Sequence, residues 1–219
     1  MTDEEKGTDE RGIPLQSQFP DSPPVWIFVP TFNTVLLGLG VLIAYFASYA
    51  PASKETAINT KIDLLASYDL GWLYLGIFLL QMLQLPLTVL LAHTRKESKV
   101  NVPDQHVYKV MGMMDGSKPP VGYVLMETEG VIGRFNRAQR AWMNYGEQFP
   151  MLALLYVAAG FVLPIDSFVV VMVFACARIV AAFGYVQGAD GRRLGTVISV
   201  LSLSVLQGMV LIAAIKALS

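Results

Sequence analysis

Residues 133–150 read GRFNRAQRAWMNYGEQFP and set Arg137, Gln139, Arg140, Asn144, Glu147 and Gln148 at the mouth of an apolar run. Ionisable side chains beside hydrocarbon are costly and by default mark a functional site. At about 100° per residue, Arg140, Asn144 and Glu147 (i, i+4, i+7) fall in a narrow stripe on one helical face. Arginine offers a carboxylate a planar fork of donors, asparagine offers a donor and an acceptor, and glutamate can hold an ammonium group. A ligand with carboxylates, amides and one amine suits all three. The same types allow a second reading, in which Arg140 and Glu147 satisfy each other or a neighbouring helix.

A second polar group lies farther on. Arg178 and Tyr185 are seven residues apart and share a face, and the loop GADGRRLG that follows carries Arg192 and Arg193. Interfacial tyrosines also serve as anchors and paired loop arginines as topology signals, so residue types leave both readings open. The single cysteine, Cys176, rules out an internal disulfide and supplies no metal-ligand cluster. In its apolar run it is expected to be a small buried hydrophobe.

The elements that must position these groups belong to a membrane bundle. The chain is 54% hydrophobic and only 15% charged, outside the usual range of soluble domains. Lysine plus arginine (16) balance aspartate plus glutamate (17), so there is no field for nucleic acid, which is excluded as a partner. A membrane-spanning helix needs about 20 mostly apolar residues. Such runs occur at Thr31 to Tyr49, Leu70 to Ala92, Met143 to Val162 with a polar start reaching back to Arg134, Ser167 to Tyr185, and Thr196 to Leu218.

Residues 1–25 are acidic and proline-bearing and are expected to form a disordered tail. They show neither the basic start of a secretory signal nor the arginine-rich, acid-poor character of a mitochondrial presequence. Residues 26–67 are read as an extra N-terminal transmembrane helix and loop, and 68–219 as a four-helix membrane domain with an enlarged loop over 94–133. Pro86 and Pro150 are expected to kink their helices and to face protein. The short link from Leu163 to Asp166 makes the third and fourth runs an antiparallel hairpin. Within the long loop, VYKVMGMM and VGYVLMET flank DGSKPP and predict a β-hairpin outside the bilayer.

Charge sets the orientation. With five spans, the tail, the long loop and the GRR loop share a face carrying Lys6, Arg11, Arg95, Lys96, Lys99, Lys109, Lys118, Arg134, Arg192 and Arg193. The opposite face has Lys54, Lys61 and Lys216, so the positive-inside rule makes the first face cytoplasmic.

The series Arg140-Ala141-x-x-Asn144-x-x-Glu147-x-x-Pro150, preceded by Phe135-Asn136-Arg137, matches an R-A-x-x-N-x-x-E-x-x-P signature. In this the chain resembles the membrane-associated proteins in eicosanoid and glutathione metabolism (MAPEG), which include microsomal glutathione transferases and cysteinyl-leukotriene synthases. ARIVAAFGYVQGADGRRLG looks like that family's passage from its third helix into its last loop, and TRKESKVNVP like the basic end of its first helix. The resemblance runs from about Tyr68 to Leu218 and leaves out the leading helix and the tail.

The resemblance implies an all-α MAPEG-type four-helix transmembrane bundle, here with an additional N-terminal transmembrane helix. It further implies a homotrimer in the endoplasmic reticulum membrane, with glutathione between subunits at the cytoplasmic ends of the helices. Carried over by position, Arg140, Asn144 and Glu147 contact the tripeptide, Tyr185 supports it, and Arg95 reaches it from the end of the second run. Arg192, or Arg193 one residue on, matches the arginine that activates the thiol. A thiol ionises near a pH of about 8.5, and an adjacent cation favours the nucleophilic thiolate.

The implied activity is that of a membrane-bound glutathione transferase, with glutathione as co-substrate, no metal, and hydrophobic electrophiles arriving through the bilayer. Reduction of lipid hydroperoxides by the same thiolate is a possible side reaction. The alternative is a non-catalytic member of the fold that binds a lipid or scaffolds a partner enzyme. Ala181 stands where many strongly conjugating relatives have a second tyrosine, and Trp142 and Gln148 replace residues usual at their positions. Arg140, which the non-catalytic arachidonate-presenting members usually lack, favours glutathione binding. A small transporter is disfavoured because the chain has no internal repeat.

Overall fold

Inside hydrocarbon every backbone polar group must be satisfied within the chain, and for long runs of Leu, Val, Ala and Ile the helix achieves this locally. A computed structural model describes residues 7, 13–109 and 125–219, and over these the chain is almost entirely helical. The helices are α1 (Val25–Ala44), extended by a π-type turn (Tyr45–Tyr49), α2 (Ala52–Ser67), α3 (Gly71–Met82) and α4 (Gln84–Ser98). After the long loop come α5 (Gly130–Val162), α6 (Pro164–Gln187), a 3-10 turn (Ala189–Arg192) and α7 (Arg193–Leu218).

Among the described residues, four helical stretches are long and apolar enough to cross a membrane: Val25–Tyr49, Gly71–Ser98, Pro164–Gln187 and Ala189–Leu218. They make the protein a multi-pass, all-α membrane protein. The third expected span, within α5, does not join them on composition, because its first half carries the charged stripe. Its second half supplies core all the same, with Leu152, Tyr156 and Ala159 almost wholly buried. The outer surface is apolar, with large side chains such as Leu154, Phe161, Leu201 and Ile212 exposed, as a lipid-facing surface requires.

The core lies among α3 to α7, around Leu80, Tyr145, Leu152, Tyr156, Phe174 and Leu206. Leu163 alone joins α5 to α6, so these two helices form the expected antiparallel hairpin. Buried tyrosines stitch the bundle through their hydroxyls. Tyr145 donates to the Leu80 carbonyl at 2.8 Å and Tyr156 to the Trp72 carbonyl at 2.9 Å. Gly76 makes room for the Tyr156 hydroxyl, since a Cβ there would collide with it.

Several expectations need correction. The second run is two helices meeting at Leu83, because Pro86 has no N–H to return to the Met82 carbonyl. Pro150, by contrast, sits inside an unbroken α5 and is exposed on the protomer rather than facing protein. The front region holds a second, polar helix, α2, whose sequence ASKETAINTKIDLLAS has no apolar stripe to announce it. Cys176 is exposed on the outer side of α6, where lipid replaces core as its apolar surroundings.

Part of the acidic tail is held in place. The Gln18 N–H donates to Asn101 Oδ1, Asn101 Nδ2 to the Gln16 carbonyl, and the Val102 N–H to Gln18 Oε1. Lys96 donates to the Pro20 carbonyl and pairs with Asp21 at 3.2 Å. Residues 1–6 and 8–12 lie outside the described residues. The expected hairpin has its base in place, as β1 (Tyr108–Lys109) pairs antiparallel with β2 (Leu125–Met126), Tyr108 opposite Met126. Its tip lies outside the described residues.

Candidate functional site

The stripe on α5 survives folding. Arg140 and Glu147 stand two turns apart and form an ion pair of 3.2 Å, with 40% and 56% of their side-chain surfaces exposed. This is the contact foreseen in the bland reading, but a pair so open to solvent is worth about 0–1 kcal/mol. Ligand groups can exchange into it at little cost.

Asn144, Glu147 and Gln148 face Arg178 of α6 and Arg192, Arg193, Thr196 and Val197 around the start of α7, across a cavity of about 570 Å³. A narrow recess adjoins it, lined by Ala141, Asn144, Arg178, Ala181, Ala182, Tyr185, Arg192 and Thr196. Asn144, Glu147, Tyr185, Arg192 and Arg193 therefore converge, whereas Arg140 stands at the edge of the group through its pair with Glu147. Ala181, where a larger side chain was expected from relatives, is what leaves the recess open.

The two loop arginines differ. Arg193 pairs with Asp190 at 2.7 Å. Arg192 lies with its guanidinium 4.5 Å from the centre of the Tyr185 ring and makes no hydrogen bond or ion pair among the described residues. Stacking fixes its plane while leaving its donors available. Tyr185 thus acts on Arg192, a role for it that the sequence did not disclose.

Two glycines bring the loop back to α6. A Cβ at Gly184 would collide with the Gly191 carbonyl, and one at Gly191 with the Gly184 carbonyl, so the two backbones touch only because both side chains are absent. Gly184→Ala is expected to cost about 1–3 kcal/mol through overpacking. Thermal unfolding in detergent measures it, and an unchanged melting temperature would remove this contact from the account.

Arg178 is the residue that sequence reasoning left out of the site. It is only 7% exposed, its Nε has no partner, and it makes no hydrogen bond or ion pair among the described residues. A buried cation of this kind is unfavourable unless something pairs with it. Its signal was available as the one arginine inside an apolar helix, seven residues before Tyr185.

Arg95 goes elsewhere. Its guanidinium donates to the Val100 carbonyl at 3.1 Å, the Asp104 carbonyl at 2.7 Å and Gln139 Oε1 at 3.3 Å, and lies 4.8 Å from the centre of the Phe135 ring. Within one protomer it stands apart from the cavity and anchors the loop after α4. Asn136 holds the far end of that loop, bonding both the N–H and the carbonyl of Val107. Arg137 ties α5 to the end of α6, donating to the Val186 carbonyl.

Between these anchors lies His106, whose buried Nε2 has no hydrogen-bond partner. Burial, with the nearby charge of Arg140 second, holds the imidazole below its ordinary pKa. The unfolded chain therefore binds this proton more readily. The contribution is whole above the unfolded value, about 6.5, and is lost progressively as pH falls from there through the lower folded value. Melting temperatures measured from pH 8 to about pH 5 should fall less steeply for His106→Gln than for wild type; parallel slopes would show that His106 titrates as in the unfolded chain.

The family model of the MAPEG family matches residues 73–212. No curated protein matches the chain. The matched stretch begins in α3, ends in α7 and contains every residue that lines the cavity. Because it spans well over half of the 219 residues, the chain belongs to the MAPEG family, the membrane-associated proteins of eicosanoid and glutathione metabolism.

Proposed function

We propose that the protein is a membrane-bound glutathione transferase, conjugating glutathione, its co-substrate, to hydrophobic electrophiles that reach it through the bilayer. The observation that carries this reading is the cavity in which Asn144 and Glu147 oppose Arg178 and Arg192. Glutathione bears two carboxylates, two amides, one amine and one thiol. Glu147 can take the ammonium group, Asn144 an amide, and Arg140 and Arg178 the carboxylates. Arg192, over the Tyr185 ring and with no hydrogen bond or ion pair among the described residues, is the cation for the thiolate.

In this reading the thiolate sulfur attacks an electrophilic carbon and its electron pair forms the new C–S bond. The leaving group or opened ring oxygen carries off the displaced pair. With a hydroperoxide as acceptor the thiolate attacks oxygen instead, and a second glutathione completes the reduction to disulfide, alcohol and water. Arg95 is assigned to holding the loop after α4, and Arg193 to its pair with Asp190. A homotrimer in the endoplasmic reticulum membrane, with the site toward the cytoplasm, completes the proposal.

Purified protein in detergent should bind glutathione by calorimetry and conjugate it to a generic aryl halide. Absence of both refutes the reading. Binding without turnover, over a panel of aryl halides and lipid hydroperoxides, would favour a non-catalytic member of the same fold.

A further inference from the structure

A groove of about 640 Å³ lies between α1 and the α3–α4 pair, well away from the arginine cavity. Only the start of α1 is packed. Val25 and Val29 are buried against Ala92, with Leu85 and Val89 alongside, and the rest of the helix is exposed. Beyond these contacts α1 and α3 part, and Gly40 leaves open space where a side chain would stand.

The lining is unusual for a lipid-facing cleft because it includes Asn33, Thr34, Gln81, Gln84 and Thr88. The midpoint of the span Gly71–Ser98 falls between Gln84 and Leu85, so the two glutamine amides sit at the depth where water is scarcest. Asn33 Nδ2 donates to the Val29 carbonyl at 2.9 Å. The side chains of Thr34, Gln81, Gln84 and Thr88 make no hydrogen bond among the described residues. The Met82 carbonyl cannot receive a Pro86 N–H at the same break between α3 and α4. Unpartnered amides in hydrocarbon cost several kcal/mol each by transfer scales, about 2–7, and a saturated acyl chain does nothing to relieve that.

We infer that this groove binds a lipid whose acyl chain carries an oxygen function, such as a hydroxyl, in its methyl-end half, with Gln81 and Gln84 hydrogen-bonding to that oxygen. Depth supports this assignment. Gln84 lies about 20 Å along the helix from Ser98 at 1.5 Å per residue, and one acyl chain spans half of a hydrocarbon layer about 30 Å thick, so a headgroup at the interface places the methyl-end half of its chain beside the amides. A cleft of this width accepts a flexible chain, and both hydrogen-bonding senses are present in an amide. One wall is α1, which lies outside the matched residues 73–212, so the site belongs to this chain's own addition. It is independent of the glutathione reading.

The test uses the full chain in phosphatidylcholine nanodiscs, photolabelled with a diazirine fatty acid bearing a hydroxyl in its methyl-end half or with its unhydroxylated counterpart. The hydroxylated probe should label peptides from α1 and α3–α4 about 3- to 10-fold more strongly, the value of one hydrogen bond. Combined Gln81→Leu and Gln84→Leu substitutions should abolish that preference while leaving the melting temperature and glutathione binding unchanged. Equal labelling of wild type by both probes overturns the proposal, as does a preference that survives the substitutions. Disulfide cross-linking of Thr34→Cys between copies, with no labelling, would show a second copy filling the groove and would also overturn it.

Discussion

Arg192→Ala is expected to lower the rate of glutathione conjugation by about 10- to 100-fold while glutathione affinity falls only a few-fold. A thiol with a pKa of about 8.5 is only a few per cent ionised at pH 7, and a cation beside it raises that fraction more than tenfold. The remaining loss comes from the position of the sulfur, which Arg192 also sets. Because Arg192 lies on the Tyr185 ring and bonds nothing else, its removal leaves no orphaned partner and the fold should be unaffected. Arg193→Ala is the control, since its cation is already paired with Asp190. The deficit in Arg192→Ala should shrink as pH approaches 9, where solution ionisation supplies the thiolate. If Arg193→Ala does the greater damage, or if the Arg192→Ala deficit is independent of pH, the assignment of the thiol-activating role fails.

Arg178→Met should move stability and ligand affinity in opposite directions. The side chain is only 7% exposed, its Nε has no partner among the described residues, and it lines the cavity where a bound anion would find it. Replacing an unpaired buried charge with an apolar side chain of similar length removes a desolvation cost. The melting temperature of the ligand-free protein should therefore hold or rise, by analogy with buried ion pairs replaced at a gain of about 1–4 kcal/mol. Glutathione affinity should fall by about 10- to 100-fold, because a charge-assisted hydrogen bond is worth about 1.5–3 kcal/mol. Calorimetric titration and thermal melts on the same preparation separate the two effects. A variant that melts much earlier and still binds glutathione as well as wild type would make Arg178 a structural residue with a partner of its own.

The sequence revealed the stripe on α5 because helical periodicity turns spacing into direction, and Arg140, Asn144 and Glu147 keep one face in the folded protein. The family signature and the α5–α6 hairpin were equally legible, since both depend on neighbours in the chain. Choosing between Arg192 and Arg193 was not possible from spacing. It turns on a 3-10 turn that gives Asp190 to one arginine and Tyr185 to the other. Arg178 was visible on one face with Tyr185, but residue types left its role open, as its meaning comes from what α5 and α7 bring opposite. The clasp of Gln18 on Asn101 joins residues more than eighty positions apart through amides, a contact for which no local propensity exists. Arg95 entered the site only through the family resemblance, and its bonds to three internal oxygens and its place over the Phe135 ring have no signal in the local sequence.

The length of α5 has a consequence for where two very different molecules can meet. Its 33 residues make a rod of about 50 Å, whereas the hydrocarbon layer is about 30 Å thick. A substantial part of the polar half must therefore project beyond the oily layer, which puts Asn144 and Glu147 near the level of the headgroups. A water-soluble tripeptide can arrive there without entering hydrocarbon, and a greasy electrophile without leaving it. Under the proposed function the helix would work as a ruler set across a phase boundary, with the membrane concentrating one reactant and the aqueous phase supplying the other.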